Sequence, residues 1–473
     1  MGIKGKTTFE LTDVNTGEVE IIEDNNMVTN ALQEFMFTYG VFNKSIFIND
    51  NMTNALCLNL LGGLFLFDTA LDEDVDNTFM PAGVKMVGNG SNCANNSDVT
   101  ELGSYNTTES GVQSDGSIKF VYDFATNQAN GTIACACLTS RVGGYMGMGN
   151  SKKRYASSNR INAHQSSGSS LYLALPGAGN YYFNILYPVY NENAIYCTNP
   201  YNTVYTSTES RQHWSVTKKI EILRVRAGFT SVGIKDTWNL NKVIDSFEVD
   251  IPQAILDYMG TSTATIIPVG DSFNRNIFLI FNKSTNTIAS GAYCWIMKID
   301  KDKNVTAHKF TNNVNENLSL RTLTDSRKQY TINGDYLWVA SSSYKLYGIK
   351  YSDSTQIIDT GADTNSAYPH ICSIAENLVG IGGVLRGSTF PAYSIYDVVN
   401  RTYKYVNGDE DGNNYMYIPF ADKKGVYLKV YEAGGKMEII KDVRYLATIN
   451  NLSEPVVKTS SKTMKVTYTI TEV

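Results

Sequence analysis

The chain has 473 residues, 42% hydrophobic and only 18% charged, with 31 Tyr and 37 Gly. A typical soluble domain spends about 25% of its residues on Asp, Glu, Lys and Arg, so this balance favours strands and turns over charged surface helices. The formal net charge of -6 leaves no broad basic face to displace counterions from phosphates, which excludes nucleic acid as a partner.

The length allows about two or three domains, with a core that needs neither disulfides nor metals. No run reaches the ~18 uninterrupted apolar residues of a membrane span, and the start, Met1 to Lys6, reads neither as a secretion signal nor, with Lys6 at the sixth position, as a myristoylation site. Seven cysteines, at 57, 93, 135, 137, 197, 294 and 372, form no CxxC pair and read as reduced core residues. Cys135 and Cys137 share one face of a predicted strand, where packing accounts for both.

In chain order, Thr7–Leu11 and Glu18–Ile22 alternate as two strands joined through Asn15-Thr16-Gly17, a hairpin. Met27, Leu32, Phe35 and Met36 keep helical spacing, and residues 52 to 61 form a second helical pattern with Asn51 as N-cap. From Leu64 to Leu138 the pattern returns to strands, including Ile118–Phe124, broken by turns such as Gly88-Asn89-Gly90-Ser91-Asn92. The Gly, Ser and Asn-rich stretch that follows, with its solvated basic cluster Lys152, Lys153 and Arg154, reads as a linker.

Beyond it a strand, a polar turn and a second strand recur. The clearest copies are Cys294–Asp300 with Val305–Phe310, Leu346–Tyr351 with Ile357-Ile358, Ala392–Asp397 with Tyr403–Val406, and Tyr427–Glu432 with Met437–Ile440. Weaker copies end at Tyr190 and Leu240, and the preceding strand shows at Asn276–Phe281 and Asp335–Ala340. The six anchors at 190, 240, 299, 351, 396 and 431 are spaced about 48 residues apart on average, the size of a four-stranded propeller blade. Coincidental hairpins in two β-sandwiches are the competing architecture, since the units share no fixed dipeptide. Finally Thr463–Thr471 alternates as a strand outside the repeats, placed to pair with the N-terminal hairpin.

The expected fold is therefore mainly β: a small α/β domain over residues 1–150, a linker over 151–170, a propeller-like repeat domain of about six blades over 171–450, and a C-terminal strand segment over 451–473 that returns toward the first domain.

Chemistry is sparse. His164, His213, His308 and His370 lie far apart with no metal-binding grouping, and no nucleophile elbow, phosphate loop or dinucleotide fingerprint sits in a suitable context. Asn407-Gly408-Asp409-Glu410-Asp411-Gly412 fits the first half of a calcium loop, but Ile418 stands where a bidentate Glu belongs, so it reads as an acidic turn. Asp72-Glu73-Asp74-Val75-Asp76 clusters carboxylates without the required glycine. No catalytic, cofactor or metal residue is assigned. Tryptophans and tyrosines can stack on sugar rings; Trp295 and Trp338 fall in blade strands and read as core, whereas Trp214, beside His213 in a polar stretch, reads as exposed, and with Trp238 these form the ligand-contacting candidates.

Several segments carry a resemblance: Gly62–Thr69, Pro81-Ala82-Gly83-Val84, Thr100–Tyr105, Gln113–Ser117, Phe124–Ile133, Leu138-Thr139-Ser140 and the ending Pro455–Tyr468. Together they resemble a tail or baseplate protein family of phages and prophages of Gram-positive bacteria. The resemblance covers about the first 150 and the last 20 residues and supplies no catalytic residue. It implies a virion protein made in the host cytoplasm, with the first domain contacting other tail proteins, the β-repeat head contacting a host surface glycan or protein, several copies per particle, and no membrane insertion. A purely structural baseplate or decoration role, and a surface-polysaccharide depolymerase with carboxylates paired by the fold, are the alternatives.

Overall fold

The computed structural model describes residues 3–30, 32, 62–75, 83–91, 100–139, 161–165, 185–189, 194–198, 205–206, 209–226, 243–260, 265–271, 273–283, 286–321, 328–363, 370–383, 392–407, 417–420, 427–433, 436–442 and 446–472. The described chain is mainly β, and no helix in it is long and apolar enough to cross a membrane.

The first eight strands are β1 (Ile3–Asp13), β2 (Val19–Val28), β3 (Gly63–Phe67), β4 (Met86–Ser91), β5 (Leu102–Tyr105), β6 (Gly111–Val112), β7 (Ile118–Phe124) and β8 (Gly131–Thr139). The predicted hairpin is β1–β2, turning where Asp13 Oδ1 accepts the backbone N–H groups of Asn15 (2.8 Å) and Thr16 (3.2 Å) and Gly17 takes φ 72°. Met27, expected on a helix, ends β2 instead. The helical turn starts at Asn30, where Thr29 Oγ1 accepts the N–H of Leu32 at 3.3 Å as an N-cap. The second predicted helix lies outside the described residues.

Next come β9 (Ile161–Gln165), β10 (Ile185–Val189), β11 (Ala194–Thr198), β12 (Tyr205–Thr206), β13 (Glu209–Gln212), helix α1 (His213–Thr217), β14 (Lys219–Arg226), β15 (Val243–Asp250), helix α2 (Gln253–Met259), β16 (Thr265–Asp271), β17 (Asn276–Asn282), β18 (Thr287–Ile288), β19 (Tyr293–Ile299) and β20 (Val305–Thr311). After them run β21 (Leu318–Ser319), β22 (Tyr330–Asn333), β23 (Tyr336–Ser341), β24 (Lys345–Lys350), β25 (Ile357–Asp363), β26 (His370–Ala375), β27 (Leu378–Gly383), β28 (Ala392–Asp397), β29 (Thr402–Asn407), β30 (Tyr417–Phe420), β31 (Tyr427–Ala433) and β32 (Lys436–Asp442). The chain closes with β33 (Thr448–Lys458) and β34 (Lys462–Glu472).

The two ends of the chain build one closed barrel, with nine strands in the order β34-β1-β2-β33-β8-β3-β4-β5-β7 and β7 pairing back to β34, while β6 hangs on β7. The C-terminal strand does pair with the N-terminal hairpin, through β1, over its whole length from Ile3↔Glu472 to Asp13↔Lys462. Alternate residues Phe9, Leu11, Phe120, Tyr122, Phe124, Val466, Tyr468 and Ile470 fill the interior, as the two-residue period of strands requires. Gly88 and Gly90, expected in a turn, lie within β4. A Cβ at Gly90 would stand 2.7 Å from the Tyr122 ring and one at Gly103 2.5 Å from that of Phe124, so the glycines make room for these rings rather than bend the chain. Pro455 sits where β33 leaves the ladder to β8, between Asn451↔Cys135 and Val456↔Ile133, so its missing N–H costs no strand bond.

The head between β8 and β33 is a propeller-like succession of five antiparallel sheets: four are four-stranded, β10-β11-β14-β15, β16-β17-β19-β20, β26-β27-β28-β29 and β30-β31-β32-β9, and the third is six-stranded, with β22-β23-β24-β25 joined by β21, which also pairs with β23, and by β18 beyond it. The first strands of successive sheets lie side by side, β10 by β16, β16 by β22, β22 by β26 and β26 by β30. Lys328, just before β22, also reaches back to β16 by donating from Nζ to Pro268 O (3.4 Å), while its own carbonyl accepts the Ile371 N–H of β26 (2.8 Å).

Two expectations change here. The described residues form five such sheets, not six, because the strands beside the first two anchors, β10 and β15, belong to one sheet. Residues Ile161–Gln165, read as linker, form β9, the outer strand of the last sheet; an edge strand needs backbone pairing on one side only and so carries little apolar signature.

Two hairpin turns share a sequence that the search for a fixed dipeptide missed. Asp271-Ser-Phe-Asn274-Arg275 and Asp397-Val-Val-Asn400-Arg401 each place an Asp whose Oδ1 accepts the N–H groups two and three residues on, at 3.0 and 3.2 Å and at 3.0 and 2.9 Å. Each Asn donates back to Oδ2, and each Arg takes φ 55°. The second turn has one further partner: Asp397 Oδ2 accepts the backbone N–H of Gly83 (3.0 Å), which joins the fourth sheet to the barrel chain between β3 and β4.

At the β7–β8 turn of the barrel Lys458, 1% exposed, donates from Nζ to Thr126 O (3.2 Å) and Asn130 Oδ1 (2.9 Å). Burial of its ammonium pushes its pKa down from 10.5 to about 8. Between those values the unfolded chain holds more protons than the folded one, so the group's contribution makes stability rise with pH across this window. The barrel of the parent chain is expected to gain up to about 3 kcal/mol relative to Lys458→Met between pH 8 and pH 10.5 in thermal unfolding. Parallel pH profiles for the two proteins would show that the ammonium is not desolvated.

Candidate functional site: an aromatic and lysine surface on the second sheet

Helix α2 follows Pro252, which holds φ -54°, and stops at Gly260, whose combination of φ 59° and ψ -136° suits a residue without Cβ. Its buried Ile255 and Met259 anchor it in the core shared by the first and second sheets, which leaves Tyr258 on its flank at the surface.

There Tyr258 meets Tyr293, the first residue of β19, with ring centroids 5.0 Å apart and planes inclined by 46°. The Tyr258 hydroxyl donates to Tyr293 O (2.9 Å) and accepts the Lys283 N–H (3.4 Å), so the ring is fixed by two segments besides its helix. Partial burial raises the Tyr258 phenol above its ordinary pKa, so it stays a neutral donor. Tyr293 is 41% exposed.

Two ammonium groups rest on these rings. Lys283 Nζ stands 4.9 Å from the Tyr258 centroid and Lys309 Nζ 4.2 Å from that of Tyr293. Neither lysine has an ion pair among the described residues. The carboxylate on the helix, Asp257, accepts instead from Gln253 Nε2 (2.7 Å).

Beneath the surface an aromatic series continues inward. Lys309 is the register partner of half-buried Trp295, Trp295 that of Phe281, and Phe281 meets Trp214 edge to face at 6.3 Å. Chemically, the arrangement offers ring faces for C–H groups of a ligand and two ammonium groups for an anionic one.

Against this, the sequence candidates fall as follows. Trp214, expected to be exposed, is 1% exposed and belongs to the core between the first two sheets; its polar neighbours are the visible part of a short helix whose inner side carries the indole. His213 begins α1, but its side chain lies outside the described residues, as does Trp238 entirely. Trp338 is fully buried, and a Cβ at Gly348 would stand 2.7 Å from its ring; Trp295 is half-buried. The cluster Asp72-Glu73-Asp74 is exposed, and the described residues contain no group of three side chains able to hold a metal. The basic cluster at Lys152 and residues 408–416 of the calcium-loop match lie outside the described residues.

The five described cysteines are buried and form no disulfide with one another, with Cys135 and Cys137 Sγ atoms 3.7 Å apart. Burial pushes the Cys197 thiol up to about 12 and that of Cys137 well up, so neither is a nucleophile. His308, half-buried beside Tyr351 (5.4 Å), is held below its ordinary pKa by burial and by Lys298.

No family model and no curated protein matches the chain. Among solved structures, the chain is similar to the Neurospora crassa Pan2 WD40 domain at 6% identity, covering 59% of this chain and 91% of that one with a TM-score of 0.21. BBS1N in complex with ARL6DN aligns at 6% identity over 70% of this chain and 87% of that one, TM-score 0.24. AztD from Citrobacter koseri aligns at 11% over 74% and 95%, TM-score 0.19. Superpositions this loose transfer neither arrangement nor function, and the sheet order rests on the strand pairings themselves.

The different roles of Trp214 and Tyr293 are measurable. Trp214→Ala is expected to cost about 3–5 kcal/mol in chemical denaturation, because it empties a fully packed site. Tyr293→Ala, at the surface, is expected to cost less than about 1 kcal/mol; equal losses would mean that Tyr293 is a core residue.

Proposed function

We propose that this chain is a non-catalytic tail or baseplate protein of a bacteriophage or tail-like particle, attached to the particle through its barrel and binding the host surface through its head. The observation that carries the reading is the layout: the head is inserted between β8 and β33, which are paired neighbours in a closed barrel made by both ends of the chain. The crossing is tightened by the bridge Thr139↔Leu446. A head gripped at both its ends keeps its orientation on the barrel under load, as surface attachment demands.

The head itself is proposed to be a closed ring of five blades. In it β9, which precedes the first sheet, completes the last one and locks the ring. The barrel in turn offers a docking edge. Among the described residues, Val19 to Asn26 of β2 pair only with β1, and Val14, Val19 and Ile21 on this hairpin are 56%, 53% and 60% exposed. An uncovered strand edge with apolar side chains suits pairing to a strand of another tail protein. Several copies on one particle would convert weak host contacts into firm attachment by raising effective concentration.

The test is binding of the full labelled chain to a panel of Gram-positive cells and their purified walls, with soluble sugar measured in the same tubes. Saturable binding to a subset of strains without sugar release is the expected result. Absence of binding to every strain leaves only the structural role, and released sugar would replace the binding reading with a depolymerase.

A further inference from the structure

We propose that Tyr258, Tyr293, Lys283 and Lys309 form a binding site for an acidic polysaccharide, one whose sugar rings carry carboxylate or phosphate groups. The inference rests on the head being the host-binding part, and it names the chemistry that one surface of that head takes.

Three observations select this ligand. Two tyrosine rings, one of them 41% exposed, meet at the surface with their centroids 5.0 Å apart, and an aromatic face packs against the C–H face of a sugar. Two lysines with no ion pair among the described residues flank those rings in a chain whose net charge is -6. Charge left unpaired beside stacked aromatics in an otherwise acidic protein is complementary to an anion attached to a ring. A neutral glycan would leave both lysines unused, and an apolar peptide would have to desolvate them.

The lysines also explain how the site can stay soluble while empty. Each ammonium rests over a ring, an interaction that is weak at an exposed position. An incoming anion offers the ammonium a full opposite charge, so the long side chain swings off and uncovers the ring face for the sugar. No bond is made or broken beyond these contacts. The rings themselves hold still, because Tyr258 is tied to Tyr293 O and to the Lys283 backbone, while Trp295, Phe281 and Trp214 continue the packing along the same face of the sheet.

The experiment titrates the full chain with oligogalacturonate, with a phosphomannan and with neutral dextran oligomers of matched length, following tryptophan fluorescence and heat. At least one acidic polymer is expected to bind about tenfold or more tightly than dextran, with affinity falling as salt rises, and which of the two binds identifies carboxylate or phosphate as the source. Lys283→Gln with Lys309→Gln should remove most of that preference, and Tyr293→Ala should weaken binding about tenfold while Tyr293→Phe retains it. Equal binding of acidic and neutral polymers, no binding of either acidic one, or unchanged affinity in these variants with unfolding curves like the parent's would overturn the site. Cell binding separates the two readings: variants that still bind cells like the parent sink this site and spare the head's role, whereas a parent chain that binds acidic oligomers but no cells sinks the role and spares the site.

Discussion

Both edges of β34 are taken. It pairs with β1 from Ile3↔Glu472 to Asp13↔Lys462 on one side and with β7 from Met464↔Phe124 to Ile470↔Ile118 on the other. A sheet that would otherwise end at β34 thereby closes on itself, which removes the template for edge-to-edge association along that strand and buries Met464, Val466, Tyr468 and Ile470. The Tyr468 hydroxyl, inside that core, donates to Ala136 O at 2.7 Å, so the closing strand is also pinned across the barrel to β8. Everything between β8 and β33 must leave and re-enter a structure whose ends are already joined. The head is therefore an insertion, and its two crossings are held together by the β8–β33 ladder.

Local pattern made some of this legible. Hairpins announce themselves through two-residue alternation and a turn residue that accepts positive φ, and β1–β2, β19–β20, β24–β25, β28–β29 and β31–β32 all form where alternation placed them. Long-range decisions did not show. Gly88 and Gly90 read as a turn because glycine is permissive, whereas the reason for Gly90 is the ring of Tyr122 and that for Gly88 is the close approach of Ala129, both more than thirty residues away and absent from any local window. β9 escaped because an outer strand completing a sheet from the far end of a domain needs hydrogen bonds more than hydrophobic side chains. The anchor count ran to six because spacing registers hairpins, and the first sheet holds β10–β11 and β14–β15 together.

The candidate site was the least legible part, for a related reason. Tyr258, Lys283, Tyr293 and Lys309 come from a helix, a loop and two strands, and each alone is an ordinary residue in its element. Trp214 misled for the converse reason: a polar stretch suggested exposure, but a five-residue helix needs a single anchor, and the indole is that anchor. The indole nonetheless contributes to the surface indirectly, since Phe281 and Trp295 stand between it and Lys309. Lateral packing of this kind matters because side chains that are already ordered lose little conformational entropy when a ligand arrives.

The paired turns at Asp271 and Asp397 show how the head's orientation is set. Both fold through the same Asp-x-x-Asn-Arg logic, which closes a hairpin by local hydrogen bonds and asks nothing of the surroundings. In the second sheet the spare Oδ2 capacity goes to Asn274 and Asn276, inside the turn itself. In the fourth sheet it takes the Gly83 N–H, and Gly83, at φ 85°, brings its backbone so close that a Cβ would lie 3.0 Å from Val399. One turn sequence thus serves as a plain hairpin in one sheet and as a seat on the barrel in another. The seat and the Tyr258–Tyr293 surface belong to sheets separated by the third, so the contact that joins head to barrel need not cover the surface that meets a ligand.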